Sequence, residues 1–161
     1  MVYRNHLVNK IGLDRERYHF IRSILGPIMR GEPYVYMDEM SLNSFMTKKK
    51  AWSLEETPVV SAVNSGSRLK QTIYGSIGNI FKTAILDYRY ECTNAIDFLA
   101  YLKMLKAKTE EVTDQKLHII LDQHAAHRSV KYGSKTYLYE HFHVHFMVPG
   151  TPAINAIEHF W

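Results

Sequence analysis

Two aspartates stand where carboxylates could converge on a metal ion. Tyr34-Val35-Tyr36-Met37-Asp38 is a short, β-prone apolar run that ends in acid, bounded by Gly31 and Pro33. It reads as a buried strand with Asp38 at its C-terminal end. Leu117-His118-Ile119-Ile120-Leu121-Asp122 is the clearest buried strand of the chain, and it too closes on an aspartate. Hard divalent cations such as Mg2+ take carboxylate oxygens, and a pair of them can stabilise both the attacking and the leaving oxygen of an in-line phosphoryl displacement. Three convergent carboxylates would suffice to hold them. An aspartate at a strand end also serves as a helix N-cap or turn former, and these two residues alone do not separate the readings.

Other elements must bring the acids together. Residues 1–32 read as an incoming helix or linker containing the breaker Leu25-Gly26-Pro27. A strand over residues 44–52 and another over 70–77, with Gly75 and Gly78 turning the chain into Asn79-Ile80-Phe81, extend an antiparallel meander. Thr93 or Asn94 followed by Asp97 supplies N-capping chemistry. The stripe Ala95, Phe98, Leu99, Leu102 and Leu105 predicts an amphipathic helix, with Lys103, Lys106 and Lys108 on its solvated face. Beyond Asp122 the pattern predicts a helix over 127–140, a strand over 143–147, a turn at Pro149-Gly150-Thr151-Pro152 and a final helix over 153–161. Three strands, helix, strand, helix, strand, helix is an α/β order. It gives a ribonuclease-H-like mixed sheet, three antiparallel strands followed by parallel ones, flanked by helices. Ligands of such sheets bind at the edge formed by the C-terminal ends of adjacent parallel strands, so Asp38 and Asp122 would meet there if their strands are neighbours.

Composition sets the frame. A chain of 161 residues, 46% hydrophobic with 11 tyrosines and seven phenylalanines, has the makings of one globular domain. No apolar run approaches the roughly 20 residues needed to cross a bilayer, and Met1 to His6 carry no signal-peptide core; the expectation is a soluble, intracellular protein with no membrane partner. Cys92 is the single cysteine, which excludes an intrachain disulfide and a zinc site of several thiolates, and reads as a buried small hydrophobe. Twenty Lys and Arg against 16 Asp and Glu leave a formal charge of +4, which suits an acidic partner without selecting one.

Several motifs, in order, go further. Met37-Asp38-Glu39-Met40-Ser41 resembles the first acidic motif of mariner-type and related bacterial insertion-sequence transposases, and Lys48-Lys49-Lys50-Ala51-Trp52 resembles the basic stretch and tryptophan that follow it. Leu121-Asp122-Gln123-His124-Ala125-Ala126-His127-Arg128 resembles the second motif, and Pro149 to Trp161, with Ile157-Glu158, the third. Thirty-five residues separate Asp122 from Glu158, close to the family's spacing. Three departures from the pattern stand out: Gln123 replaces an asparagine, Gly150-Thr151 a Tyr-Ser pair, and Ala156 a proline that would preset the entry to the last helix.

The resemblance spans residues 33–161 and implies a DDE (Asp-Asp-Glu) catalytic domain there, with residues 1–32 as a linker or helical extension. It makes Asp38, Asp122 and Glu158 catalytic and metal-binding, with Asp38 bridging two Mg2+ ions, for which Mn2+ substitutes. It implies hydrolysis of a phosphodiester at an element end, then attack of the freed 3′ hydroxyl on target DNA. The partners implied are transposon-end and target DNA and a second copy in a homodimer. The location implied is the nucleus in a eukaryote, or the cytoplasm and nucleoid in a bacterium. Helix-turn-helix modules typical of the family do not fit in the first 32 residues, and the last helix is expected to be truncated three residues past Glu158. A catalytically decayed or repurposed DNA-binding fragment, or another ribonuclease-H-like nuclease, is the competing expectation.

Supporting residues follow from position. Arg128, Lys131 and Lys135 recur at i, i+3 and i+7 of the predicted helix, and with Lys48, Lys49, Lys50 and His127 they are candidate DNA contacts, against the alternative of a solvated stripe. Glu39, next to Asp38, points to the opposite face if the strand continues, and reads as structural. Trp52 and Trp161 read as core or hinge anchors. His141, His143 and His145 alternate, as three imidazoles on one strand face would; that pattern fits either a transition-metal site or a polar outer face.

Overall fold

In β1 (Tyr34–Asn43) the pleat sends Val35 and Met37 to one face, where both are wholly buried, and Tyr34 and Tyr36 to the other. This computed structural model describes residues 2–43, 70–90, 94–149 and 154–161. Before β1 comes α1 (Val2–Met29); after it come β2 (Lys70–Gly78), β3 (Ile85–Arg89), α2 (Ala95–Glu110), β4 (His118–Leu121), a 3-10 turn (Ala125–Arg128), α3 (Ser134–His141), β5 (His143–Phe146) and a second 3-10 turn (Ala156–His159). The strands form one sheet in the order β3-β2-β1-β4-β5. β3, β2 and β1 pair antiparallel, and β1, β4 and β5 pair parallel. This is the ribonuclease-H-like mixed sheet expected.

Each face of the sheet is covered, as the buried parallel half requires. On one face α2 and α3 pack Phe98, Tyr101, Leu102, Leu105 and Leu138 against Val35, Met37, Tyr74, Ile119 and Leu121. Each of these large side chains contributes about 2 kcal/mol by leaving water. On the other face α1 lays Phe20 and Ile24 over Ile120, Met147 and Val148. Asn94 caps α2 as expected: its side chain accepts the N–H groups of Ile96 and Asp97 at 3.0 and 2.8 Å.

Several expectations change. Helix α1 does not break at Leu25-Gly26-Pro27 but runs through Pro27 to Met29; the amide that proline lacks falls one turn before the end, where Gly31 at φ 71° turns the chain. The third antiparallel strand is β3, at Ile85–Arg89, which the meander reading did not contain; the strand expected over 44–52 lies outside the described residues, as do Cys92 and Thr93. The helix expected over 127–140 is two pieces. Gly133, at φ 74°, separates the 3-10 turn from α3, and the Ser134 hydroxyl donates to the carbonyl oxygens of Ala126 and Ser129 at 2.9 and 3.1 Å, bridging the break. The final helix is a single 3-10 turn. His141 ends α3, so it is not on β5 with His143 and His145. Among the described residues no helix is long and apolar enough to cross a membrane.

Candidate active site

β4 meets β1 with Tyr34 opposite His118 and Tyr36 opposite Ile120, an offset of 84 positions. The same offset carries Asp38 to Asp122, so the two aspartates are register partners just past the last parallel pairs. Their even-numbered positions share the face of Tyr36 and Ile120. The sequence placed Asp38 at the C-terminal end of its strand, but it lies inside β1. β1 continues to Asn43 because β2 pairs with it residue by residue from Val35 to Asn43, whereas β4 stops at Leu121. Asp38 therefore lies inside one strand where its parallel neighbour runs out. The result is a fork in the sheet with an acid on each prong.

The second 3-10 turn brings in Glu158. It packs on β1 and β2 through Ile157, which is wholly buried, and Trp161, whose ring lies over Gly75. Gly75 is the cross-strand partner of Asp38, and a Cβ there would fall 2.5 Å from the Trp161 ring. Trp161 is thus the anchor expected, and it holds the Glu158 turn beside Asp38. Glu158 itself is exposed.

Electrostatics report the convergence. Burial pushes the Asp38 carboxyl up to about 6; the Glu39 N–H, donating to its Oδ1 at 2.8 Å, opposes this, and the charges of Glu39, Glu158 and Asp122 add to it. Asp122 goes the other way: the hydrogen bond from His127, helped by the His124 N–H at 2.9 Å, holds it below the usual carboxylate range. His127 is buried at 1% side-chain exposure, and burial opposes its charge. Hydrogen bonds to Asp122 and Glu39 overcome that and raise it to about 10, so it is an imidazolium at neutral pH. Its Nε2 donates to Glu39 Oε1 at 2.6 Å, and its Nδ1 lies 3.1 Å from both the carbonyl oxygen and Oδ1 of Asp122.

Glu39 does take the face opposite Asp38, as the pleat dictates. Sequence reasoning did not foresee its partner; the one signal was an acid beside the first motif and a histidine in the second. His127, placed among the candidate DNA contacts by the sequence, is buried, with Glu39 at its Nε2 and Asp122 at its Nδ1. Arg128, Lys131 and Lys135 are all exposed, but they lie in the 3-10 turn, the following turn and the first turn of α3, not on one helical face. Lys48, Lys49, Lys50 and Trp52 lie outside the described residues. Gln123, the departure from the second motif, donates its amide to the Met147 carbonyl at 3.2 Å, tying the end of β4 to the end of β5.

Among the described residues one group of three potential ligands has its atoms within 4.8 Å of one another: Glu39, Asp122 and His127. The alternating histidines form no such group, so the transition-metal reading of His141, His143 and His145 falls. His118, His143 and His145 pack together instead, with His118 Nδ1 and His145 Nε2 2.9 Å apart.

A ribonuclease-H-like sheet with acids gathered at the carboxyl edge of its parallel strands defines a class of nucleic-acid-processing domains. Within that class the chain belongs to the DDE superfamily endonucleases, whose family matches residues 33–161. The structure is similar to the Mos1 transposase in its paired-end complex with the left transposon end, at TM-score 0.62 and 14% identity over 89% of this chain and 44% of that one. It is also similar to the catalytic domain of Mos1 mariner transposase, at TM-score 0.58 and 14% identity over 89% of this chain and 65% of that one, and to the Mos1 mariner paired-end complex with Mn, at 0.58 and 16% over 86% and 44%. At these identities the likeness is one of fold. The chain spans about 44% of the length of the transposase in the complexes. No curated protein matches it in sequence.

Proposed function

We propose that this chain is a transposase catalytic domain that cuts DNA and transfers the cut strand in a metal-dependent reaction, with Asp38, Asp122 and Glu158 as its metal-binding acids. The observation that carries this reading is the register that makes Asp38 and Asp122 partners at the fork, with Glu158 held beside Asp38 by the Trp161–Gly75 contact. The donor set suits the group: oxygen ligands fit Mg2+ or Mn2+, and among the described residues no cation neutralises Asp38. Two such ions, when bound, supply the Lewis acidity that stabilises the attacking and leaving oxygens of an in-line phosphoryl displacement. Asp38, Asp122 and Glu158 would hold the metal through their carboxylate oxygens. The exposed Arg128, Lys131 and Lys135 contribute positive charge for DNA backbone near the second acid.

The solved Mos1 complexes support the partners. Mos1 has been captured with a transposon end, in a strand transfer complex, and with Mn and with Mg; this chain, by the proposal, takes transposon-end and target DNA, acts as a homodimer, and works where the DNA is, in the nucleus of a eukaryote. Purified protein with Mg2+ or Mn2+ is expected to nick duplex DNA and Asp122→Asn to abolish it. Nicking that survives Asp122→Asn overturns the assignment.

A further inference from the structure

Asp38 and Asp122 are held in different ways. Asp38 sits within β1, its backbone locked opposite Gly75. Asp122 follows the last residue of β4, beyond the ladder, and its side chain is half exposed. Its position rests on the His124 N–H and on His127. His127 in turn is seated from the opposite face of the sheet: Phe98 packs on its ring with centroids 4.3 Å apart, and Glu39, only 7% exposed, accepts from its Nε2. The three side chains have the spacing of a metal site, but a nitrogen and an oxygen 2.6 Å apart leave no room for an ion between them. Glu39 adjoins Asp38 in sequence and His127 grips Asp122, so this contact links the two prongs of the fork by side chains where strand pairing has ended.

We infer that Glu39 and His127 form a positioning pair that holds Asp122 in register with Asp38, acting on the metal site from beneath the sheet without touching metal or DNA. The inference rests on the proposed function and deepens it. Partners that orient a metal-binding side chain typically alter affinity by about 10- to 100-fold when removed.

Calorimetric titration of the whole chain with Mn2+ tests it, alongside thermal unfolding of each variant. Asp38→Asn, which removes a proposed ligand, is expected to abolish binding. Glu39→Gln, nearly isosteric and the variant surest to fold, is expected to weaken Mn2+ binding about tenfold or more. His127→Asn keeps an amide nitrogen near the Nδ1 position, facing Asp122, whereas His127→Gln reaches only toward Glu39; the asparagine variant is expected to bind more tightly than the glutamine one. Adding Glu39→Gln to His127→Gln is expected to cost little beyond the worse single change, because the two act as one unit. A purely packing role would lower the melting temperature in every variant and leave the Mn2+ affinity of the folded protein unchanged. Wild-type affinity in Glu39→Gln and both His127 variants, with binding abolished in Asp38→Asn, overturns the inference and leaves the functional reading standing. Absence of Mn2+ binding in the folded wild type overturns both.

Discussion

A histidine meets a glutamate near each end of β4, and the two histidines shift in opposite directions. At the carboxyl end, His127 touches Glu39 at 2.6 Å and rises to about 10. At the amino end, His118 touches Glu32 at 2.9 Å and falls below its ordinary value, because burial and the neighbouring His143 outweigh the glutamate. The difference lies in the company each keeps. His127 is shared by two carboxylates. Glu32 is partly exposed and already bonded to Arg30 at 2.6 Å, and His118 is packed among two more imidazoles, of which His145 is itself driven down to about 4 by burial and by His118 and His143. A salt-bridge geometry therefore does not fix a charge state; the surrounding count of charges does.

The sharpest way to break the comparison is activity. Asp122→Asn is expected to abolish detectable Mg2+-dependent nicking, a loss of at least roughly 1,000-fold or about 4 kcal/mol of transition-state stabilisation, while His118→Ala, at the far end of the same strand, stays within about threefold of wild type. A comparable loss in His118→Ala would erase the distinction between the two ends.

Stability in urea comes next. His127→Ala strands Glu39 as a buried unpaired carboxylate and is expected to cost about 3 kcal/mol, whereas His118→Ala leaves Glu32 bonded to Arg30 and costs about 1 kcal/mol or less. Equal losses would mean that the second carboxylate is irrelevant.

Opposite pH limbs follow. His127 binds its proton more tightly in the folded state, so its contribution is full below the ordinary histidine value near 6.5 and is lost as pH rises through about 10. His145 binds its proton less tightly, so its contribution is full above about 6.5 and is lost as pH falls through about 4. His127→Gln should flatten the alkaline limb of the stability profile and His145→Gln the acid limb; one variant flattening both would refute the assignment.

The smallest effect belongs to Asp38. Its carboxyl is raised to about 6, so its ionised form opposes folding above that pH. Without metal, Asp38→Asn is expected to stabilise the protein by about 1 kcal/mol at pH 8, after allowance for solvent screening, and by nothing below about pH 4. Added Mn2+ should reverse the order.

The acids and the strands that bear them were legible because a buried parallel strand announces itself as a short apolar run, and Val35-Tyr36-Met37 and Ile119-Ile120-Leu121 are such runs. The α2 cap and stripe were legible because both are local. What escaped was non-local or conformational. β1 extends past Asp38 only because β2 pairs with it. Ile85–Arg89 is a strand only beside β2. The helical pattern of residues 127–140 does not reveal that Gly133 will take a left-handed turn. The Glu39–His127 contact joins residues 88 positions apart, which no spacing rule anticipates, whereas the face Glu39 takes follows from the pleat alone.

The offset of 84 positions between β1 and β4 also bears on how the molecule assembles. Closing a loop of that length costs conformational entropy before any contact rewards it, and chains dominated by such pairings fold slowly. β2 and β3 can zip together early, across a connection of a few residues; β4 can join β1 only after α2 has formed and carried the chain back. The fork is therefore expected among the last features to form. Early folding intermediates are then spared the mutual repulsion of the acids, and a stopped-flow experiment should find Asp38→Asn altering the unfolding rate far more than the folding rate.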